Sequence, residues 1–293
     1  MTWGAGALAL LCAALWGGLA VAVRFTQEDL PPVGTAALRF GIASVVVALW
    51  GKSQGQGLWV RREEWKPISV VGILLFLQIG LFHWGLTQTN SAHGSVLIGS
   101  NPVFVALIAH FMLLGDRLSW GKLAGLGLAV LGLVTVFAGP SGVTSGDPPT
   151  WLGDGIILLS SLLLGLKTVC TKLALARTEV SKLLLWSNLQ ATALFLTYSL
   201  LFETYRGLPG VSAWLGLLYQ GLVVAGFCFL CWTALLRRFR ASELAVFTFA
   251  QPLCGVVFGS LLRGDQLSLW LGAGSLLVAA GILLVTWSDR RKN

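Results

Sequence analysis

Buried polar side chains in a largely apolar chain are the ones with chemistry to do, because a charge or amide in hydrocarbon is costly unless paired or functional. Two are cationic, Arg39 and Lys167. Lys167 lies about five residues past the middle of its apolar stretch, roughly 7 Å by helical rise. It is either a contact for an anionic ligand or a side chain snorkelling to the interface. Arg39, about two turns into its stretch, is expected to meet backbone carbonyls or a neighbouring helix. His83-Trp84 joins a titratable ring to a flat apolar one and suits a small molecule with an apolar body and a polar head, unless a neighbouring helix satisfies the imidazole. His93 and Ser100 share a helical face, with Asn101 close to it. Asn188 and Gln190 differ by two positions, so one of them is the candidate for a given cavity. Gln78, Thr168, Thr171 and Gln251 are ligand contacts or interhelical glue. Trp16 and Trp232, deep in their stretches, are stacking surfaces or packing.

These residue types recognise; they do not break bonds. The embedded groups are positive or titratable, so the complementary ligand carries an anion such as a carboxylate. Asp116, Asp154, Glu179, Glu203, Glu243 and Asp265 all sit at the ends of apolar stretches or between them. That disfavours multidrug cation antiport, which needs a carboxylate inside the membrane shared by proton and cation. His83, His93 and His110 fall at separate depths with no acidic motif joining them, so no metal or acid–base cluster is expected. Cys12, Cys170, Cys228, Cys231 and Cys254 lie within apolar stretches, against a disulfide framework, and the Cys228/Cys231 spacing reads as packing. Neither glycine-rich run fits a nucleotide-binding loop.

Ten apolar segments must position these groups. With 56% hydrophobic residues, 11% charged ones and a mean hydropathy of +0.80, one soluble core cannot hide the apolar surface of 293 residues. Segments of bilayer-spanning length run 3–25, 32–50, 66–85, 92–114 and 120–137, then 152–172, 182–202, 213–236, 244–262 and 267–287. The first has no charged leader and reads as a retained helix rather than a signal peptide. Trp3, Trp50, Trp65, Trp120, Trp151, Trp214, Trp270 and Trp287 stand near segment ends, as an interfacial belt requires.

The chain is also doubled. Gly115-Asp116-Arg117-Leu118-Ser119 recurs as Gly264-Asp265-Gln266-Leu267-Ser268, and Gly125, Gly132 and Val136 recur as Gly274, Gly281 and Val285. With the N-terminus inside, fifteen Lys and Arg residues fall in inward connections and only Arg24, Arg206 and Arg263 in outward ones. The net charge of +8 is therefore topogenic, and nucleic acid is not a partner. Five segments per half then turn one copy of the motif inward and the other outward. The predicted fold is all-α and integral to the membrane, ten transmembrane helices as two inverted five-helix repeats around a central cavity. The repeats cover 1–138 and 151–288, with an extracytoplasmic linker at 139–150 and a basic cytoplasmic tail at 289–293. Pro102 and Pro252 remove a helical hydrogen bond at corresponding places, marking a site, a hinge or a packing kink. Asp116 and Asp265 are expected to cap or pin the last hairpin of each half. Glycines 121, 125, 132, 274 and 281 share helical stripes that favour close packing.

Trp16 in the first segment, Arg39-Phe40 in the second, Asn101-Pro102 and Gln251-Pro252 in the fourth and ninth, and the Gly-acidic-x-Leu-Ser loops resemble the EamA family of the drug/metabolite transporter superfamily, over essentially the whole chain. The family's usual loop Glu is Asp116 and Asp265 here. The resemblance implies export or exchange of small metabolites, amino acids most often, through a cavity between the halves, without catalysis. Expected surroundings are the bilayer of the inner membrane, both termini cytoplasmic, and a small-molecule substrate. No cofactor or metal is implied; a proton is the candidate coupling ion, and the oligomer a monomer or weak homodimer. The alternatives are an integral-membrane enzyme or a non-transporting scaffold.

Overall fold

A computed structural model describes residues 1–27, 29–88, 94, 97–138, 150–205, 207–263 and 269–290. The described residues form helices joined by turns and short irregular segments, with no strand among them. Four helices are long and apolar enough to cross a membrane: α3 (Pro32–Ser53), α4 (Trp65–Leu86), α7 (Trp151–Ala174) and the continuous stretch Val211–Arg238. The others are α1 (Trp3–Gly17), α2 (Leu19–Gln27), α5 (Asn101–Met112), α6 (Trp120–Ala138), α8 (Val180–Phe202), α11 (Ala241–Ala245), α12 (Ala250–Arg263) and α13 (Leu269–Arg290). Within Val211–Arg238, α9 (Val211–Leu218) and α10 (Phe229–Arg238) flank a π-helical stretch, Tyr219–Cys228.

Three segments are broken, the first against the expectation of one continuous helix and the fourth and ninth where Pro102 and Pro252 are expected to interrupt the helix. The first divides at Gly18 into α1 and α2, where a methyl on Gly17 would lie 2.7 Å from both Cys254 Cβ and the Gly255 nitrogen. Such close backbone approach excludes a side chain, and paired glycines give the chain freedom to turn. The fourth breaks at Ser100, whose hydroxyl donates to the Leu97 carbonyl at 2.5 Å, and α5 begins with Asn101 and Pro102. The ninth runs through α11 and a 3-10 stretch, Val246–Phe249, before Pro252 enters the first turn of α12. In both places the proline occupies a position where its missing N–H has no helical acceptor to serve.

The helices sort into two compact units, each drawing on both halves of the chain. One comprises Met1–Gly17, Leu77–Val169 and Arg238–Asn293. Its most extensive packing joins α6 to α13. A methyl on Gly125 would come within 2.6 Å of Val285 Cγ2 and 2.9 Å of the Gly281 carbonyl oxygen, and one on Gly132 within 2.7 Å of the Gly274 carbonyl oxygen. Residue numbers falling on one helix as they rise on the other make the pair antiparallel. Here the small-residue stripe packs backbone against backbone, where dispersion and lost lipid contact do the stabilising.

The second unit comprises Gly18–Phe76 and Cys170–Arg237, and α3 with α8 is its main pair. Gly34 meets Ser199, Phe40 stacks on Phe195 with ring centroids 6.0 Å apart, Gly41 lies near Thr192 and Gly51 meets Ser181, so this pair too is antiparallel. The Glu203 carboxylate accepts from the Val33 and Gly34 amides at 2.9 and 2.8 Å, placing an anion at the positive end of α3. Asp29 accepts from the Gly210 amide at 2.7 Å and does the same for α9. Gln220 donates to the Ala22 carbonyl and to Thr26 Oγ1, fixing α2 beside the π stretch.

Large apolar side chains stay exposed along these helices, among them Leu49, Ile73, Leu131, Leu201 and Leu283, and Trp3, Trp120 and Trp151 are exposed at helix ends. Hydrocarbon is the medium that matches such a surface.

Candidate functional site

In the first unit most polar side chains satisfy each other. Gln78 donates to Ser160 Oγ at 3.3 Å while that hydroxyl donates to the Gln78 carbonyl at 2.8 Å, stitching α4 to α7. Ser100 and Ser161 hydroxyls lie 3.4 Å apart, and Ser161 reaches the Ile98 carbonyl. Asn101 is buried beside them with its Oδ1 unpaired among the described residues. His83 Nδ1 lies 2.8 Å from the Ile79 carbonyl of its own helix, rather than being satisfied by a neighbouring helix alone, and Trp84 is exposed. Trp16 and Lys167 are half-buried, as is Gln251 in the first turn of α12. His93 and Asp265 lie outside the described residues, as do linker residues 139–149 and tail residues 291–293.

Asp116 sits in the α5–α6 connection and does more than cap. Its carboxylate takes Lys122 Nζ at 3.0 Å, the Ser242 amide at 3.0 Å and the Ser242 hydroxyl, and Lys122 also donates to Ser242 Oγ at 2.7 Å. Burial alone would push this carboxyl up, but the Ser242 hydroxyl and amide and the Lys122 charge outweigh it and hold the group below the ordinary carboxylate range. The triad pins the α5–α6 turn to the start of α11. Lys122 is therefore neutralised and buried. No sequence signal distinguished it from the loop cations around it. An open groove where α6 begins and α13 ends is lined by Ser119, Trp120, Trp287 and Ser288, and none of the candidate ligands lines it.

The second unit is different. Arg39 extends over the Phe40 ring, its guanidinium carbon 4.6 Å from the centroid, and no backbone carbonyl, carboxylate or amide takes it among the described residues. The expected carbonyl or interhelical contact is not formed among the described residues: Arg39 leaves α3 on the stripe of Ile42 and Val46, which meet Gly221 and Gly226 of the π-helical stretch, glycines with no side-chain acceptor to offer. Asn188 is 1% exposed with neither amide atom paired. Gln190 donates to Ser69 Oγ at 3.0 Å, which leaves its Oε1 open, and Thr192 Oγ1 is open as well. Thr171 is buried and Trp232 half-buried in the same unit. Lys172, in contrast, donates to the Leu236 and Arg237 carbonyls at 2.6 and 3.1 Å and closes the C-terminal end of α10. Among the described residues no group of three or more His, Cys, Asp and Glu could hold a metal ion.

Comparison with known proteins places this architecture. A model of the EamA-like transporter family matches residues 4–138 and again residues 151–287. The chain belongs to that family. It is a membrane protein and a transporter of small molecules rather than an enzyme. An uncharacterised transporter of Bacillus subtilis, YoaV, is 26% identical over 95% of both chains. A probable terminal-alkyne amino-acid exporter of Streptantibioticus cattleyicolor is 24% identical, covering 94% of this chain and 91% of its own. The aromatic amino acid exporter YddG of Salmonella typhimurium is 23% identical over 97% of both. A solved crystal structure, 24% identical over 97% of this chain and 98% of that one, superposes with a TM-score of 0.85 and shares the fold.

Proposed function

We propose that this EamA protein is a secondary transporter that exports or exchanges amino acids or related small carboxylates by alternating access between two inverted five-helix halves. Reciprocal contact of corresponding helices carries the reading. Residues 125 and 132 of α6 correspond to 274 and 281 of α13, and Gly125 approaches Gly281 where Gly132 approaches Gly274. Exchanging the partners of two contacts in this way is what a two-fold relation does. Because the pair is antiparallel, the operation that carries one helix onto the other reverses its direction. Other pairs repeat the pattern. Gly17 against Cys254 is answered by Gly165 against Phe104, and Gly72 against Gln190 by Gly221 against Ile42. Each half then supports one of two packings of similar energy around a shared site, open to opposite sides.

The substrate class rests on the embedded cations and on relatives named as amino-acid exporters. The protein lies in the inner membrane with both termini cytoplasmic, following its loop charges. Two measurements test this. Purified protein in liposomes preloaded with leucine or phenylalanine is expected to take up the labelled amino acid by counterflow, and absence of flux for any amino or organic acid removes the function. In a cysteine-free background, Arg117→Cys and Gln266→Cys should label with an impermeant maleimide from opposite sides; labelling from one side only removes the inversion.

A further inference from the structure

The interior of the unit built on α3 and α8 is charged and unsatisfied. Arg39 Nε, both amide atoms of Asn188, Oε1 of Gln190 and Oγ1 of Thr192 are buried without a partner among the described residues. An unsatisfied buried amide is strongly unfavourable, so native interiors pair such groups or hold them for a ligand. Ser44, across the same seam, donates to the Phe40 carbonyl at 2.8 Å and so gives its proton to its own helix.

Register brings Asn188 and Thr192 to the α3–α8 seam, while Gln190 turns to Ser69 and Gly72 of α4. Arg39 leaves α3 on the stripe of Ile42 and Val46 and comes to the edge of the seam over the Phe40 ring, which stacks on Phe195. On α8, positions 181, 192, 195 and 199 meet Gly51, Gly41, Phe40 and Gly34 of α3. Asn188 lies seven residues from 181 and four from 192, hence on the same stripe, facing α3 within about two turns of Arg39. The wall beside them is aromatic: Phe195 packs against Phe40 and against Phe76, with centroids 6.0 and 5.0 Å apart, and Phe229 closes on Phe40 at 6.2 Å. The open inventory is thus one guanidinium fork, oxygen acceptors about two turns away, and an apolar wall.

A zwitterion with an apolar side chain answers each of these. We propose that the α3–α8 seam is the substrate subsite of the transporter, with Arg39 anchoring the carboxylate, Asn188 and Thr192 accepting from the ammonium, and the Phe40, Phe76 and Phe195 rings receiving the side chain. Guanidinium matches carboxylate with two parallel hydrogen bonds, a geometry that an ammonium cannot reproduce. The assignment rests on the transport reading and goes further by naming which groups read which end of the substrate.

Counterflow of labelled phenylalanine in liposomes separates the two claims, with unlabelled phenylalanine, phenylalaninamide and 3-phenylpropionate as competitors. With wild-type protein the amide, whose carboxylate is blocked, is expected to compete roughly ten- to a hundredfold more weakly than phenylalanine. Arg39→Lys should raise the half-saturating phenylalanine concentration by a similar factor with maximal flux largely kept. Asn188→Leu and Thr192→Val should weaken phenylalanine while leaving competition by 3-phenylpropionate, which has no ammonium, within about twofold. Equal competition by the amide overturns the carboxylate anchor without any variant being needed. Wild-type half-saturation in Arg39→Lys and Asn188→Leu overturns the site while transport stands. No flux of any probe by wild-type protein overturns the transport reading, and the site with it.

Discussion

In both α6 with α13 and α3 with α8, a helix meets its counterpart from the other half of the chain, antiparallel, yet the two seams are furnished differently. The first is glycine against glycine, and the polar groups around its unit mostly close on one another: Ser119 with Ser288 at 3.0 Å, Asp116 with Lys122 and Ser242. The second presents Phe40, Arg39, Asn188 and Thr192, with hydrogen-bonding capacity left open. A seam complete in itself is a joint. One that is incomplete in this conformation has something else to bind, and stability has been given up there for it.

The sharpest way to break the contrast is to give the first unit an unsatisfied charge of its own. Asp116→Asn leaves Lys122 buried without its counter-charge and is expected to destabilise the protein by about 3–5 kcal/mol, read as a fall in the melting temperature of the detergent-solubilised protein. Asp116→Asn combined with Lys122→Met should recover most of the loss, since neither charge then remains. The pH dependence has a definite sign. Because the folded carboxyl titrates below its unfolded value of about 3.9, its contribution is complete above that value and is lost as pH falls towards the folded one. Wild-type protein should therefore lose stability in that acid window by more than the double variant does.

Next in size is the joint itself. Gly125→Leu must place side-chain atoms where Val285 and the Gly281 carbonyl already stand, at a cost of about 1–3 kcal/mol or more. Size-exclusion profile and melting temperature read it, and flux should fall with folded protein rather than in half-saturation. Asn188→Leu should do the reverse: stability unchanged or raised by up to about 1–3 kcal/mol, because an unpaired amide leaves the interior, while phenylalanine counterflow weakens. A variant that lost stability in step with flux would make the α3–α8 seam another joint.

Much of this was legible from the chain alone. Apolar length announced most of the helices, proline the breaks beside Ser100 and at Val246–Phe249, and glycine spacing the α6–α13 seam. Each of these is local chemistry, fixed by one residue or a short repeat. Less legible was whatever depends on a distant partner. Lys122 reads as a loop cation until Ser242 is seen beside it, and Arg39 reads as a helix-pairing residue until its guanidinium is seen over Phe40 with no hydrogen-bond partner among the described residues. The π-helical turn of Tyr219–Cys228 has no compositional mark, since its register comes from α2 and α3 packing on it, with Gly221 meeting Ile42 and Gln220 reaching Thr26. Gly17-Gly18 did carry a signal for the break in the first segment, but apolar continuity outweighed it.

The smallest effect separates two cations within one unit. Lys172 is held by the terminal carbonyls of α10, whereas among the described residues Arg39 is held only by a ring face. Lys172→Met should remove a favourable charge from a helix C-terminus, about 0.3–1 kcal/mol, and leave half-saturation for phenylalanine unchanged. Arg39→Lys should leave the melting temperature nearly unchanged and move half-saturation. The comparison needs both variants, because a uniform response would show that any positive charge in this unit, rather than the unpaired one, sets affinity. Opposite responses tie recognition to the cation that the fold leaves unpaired.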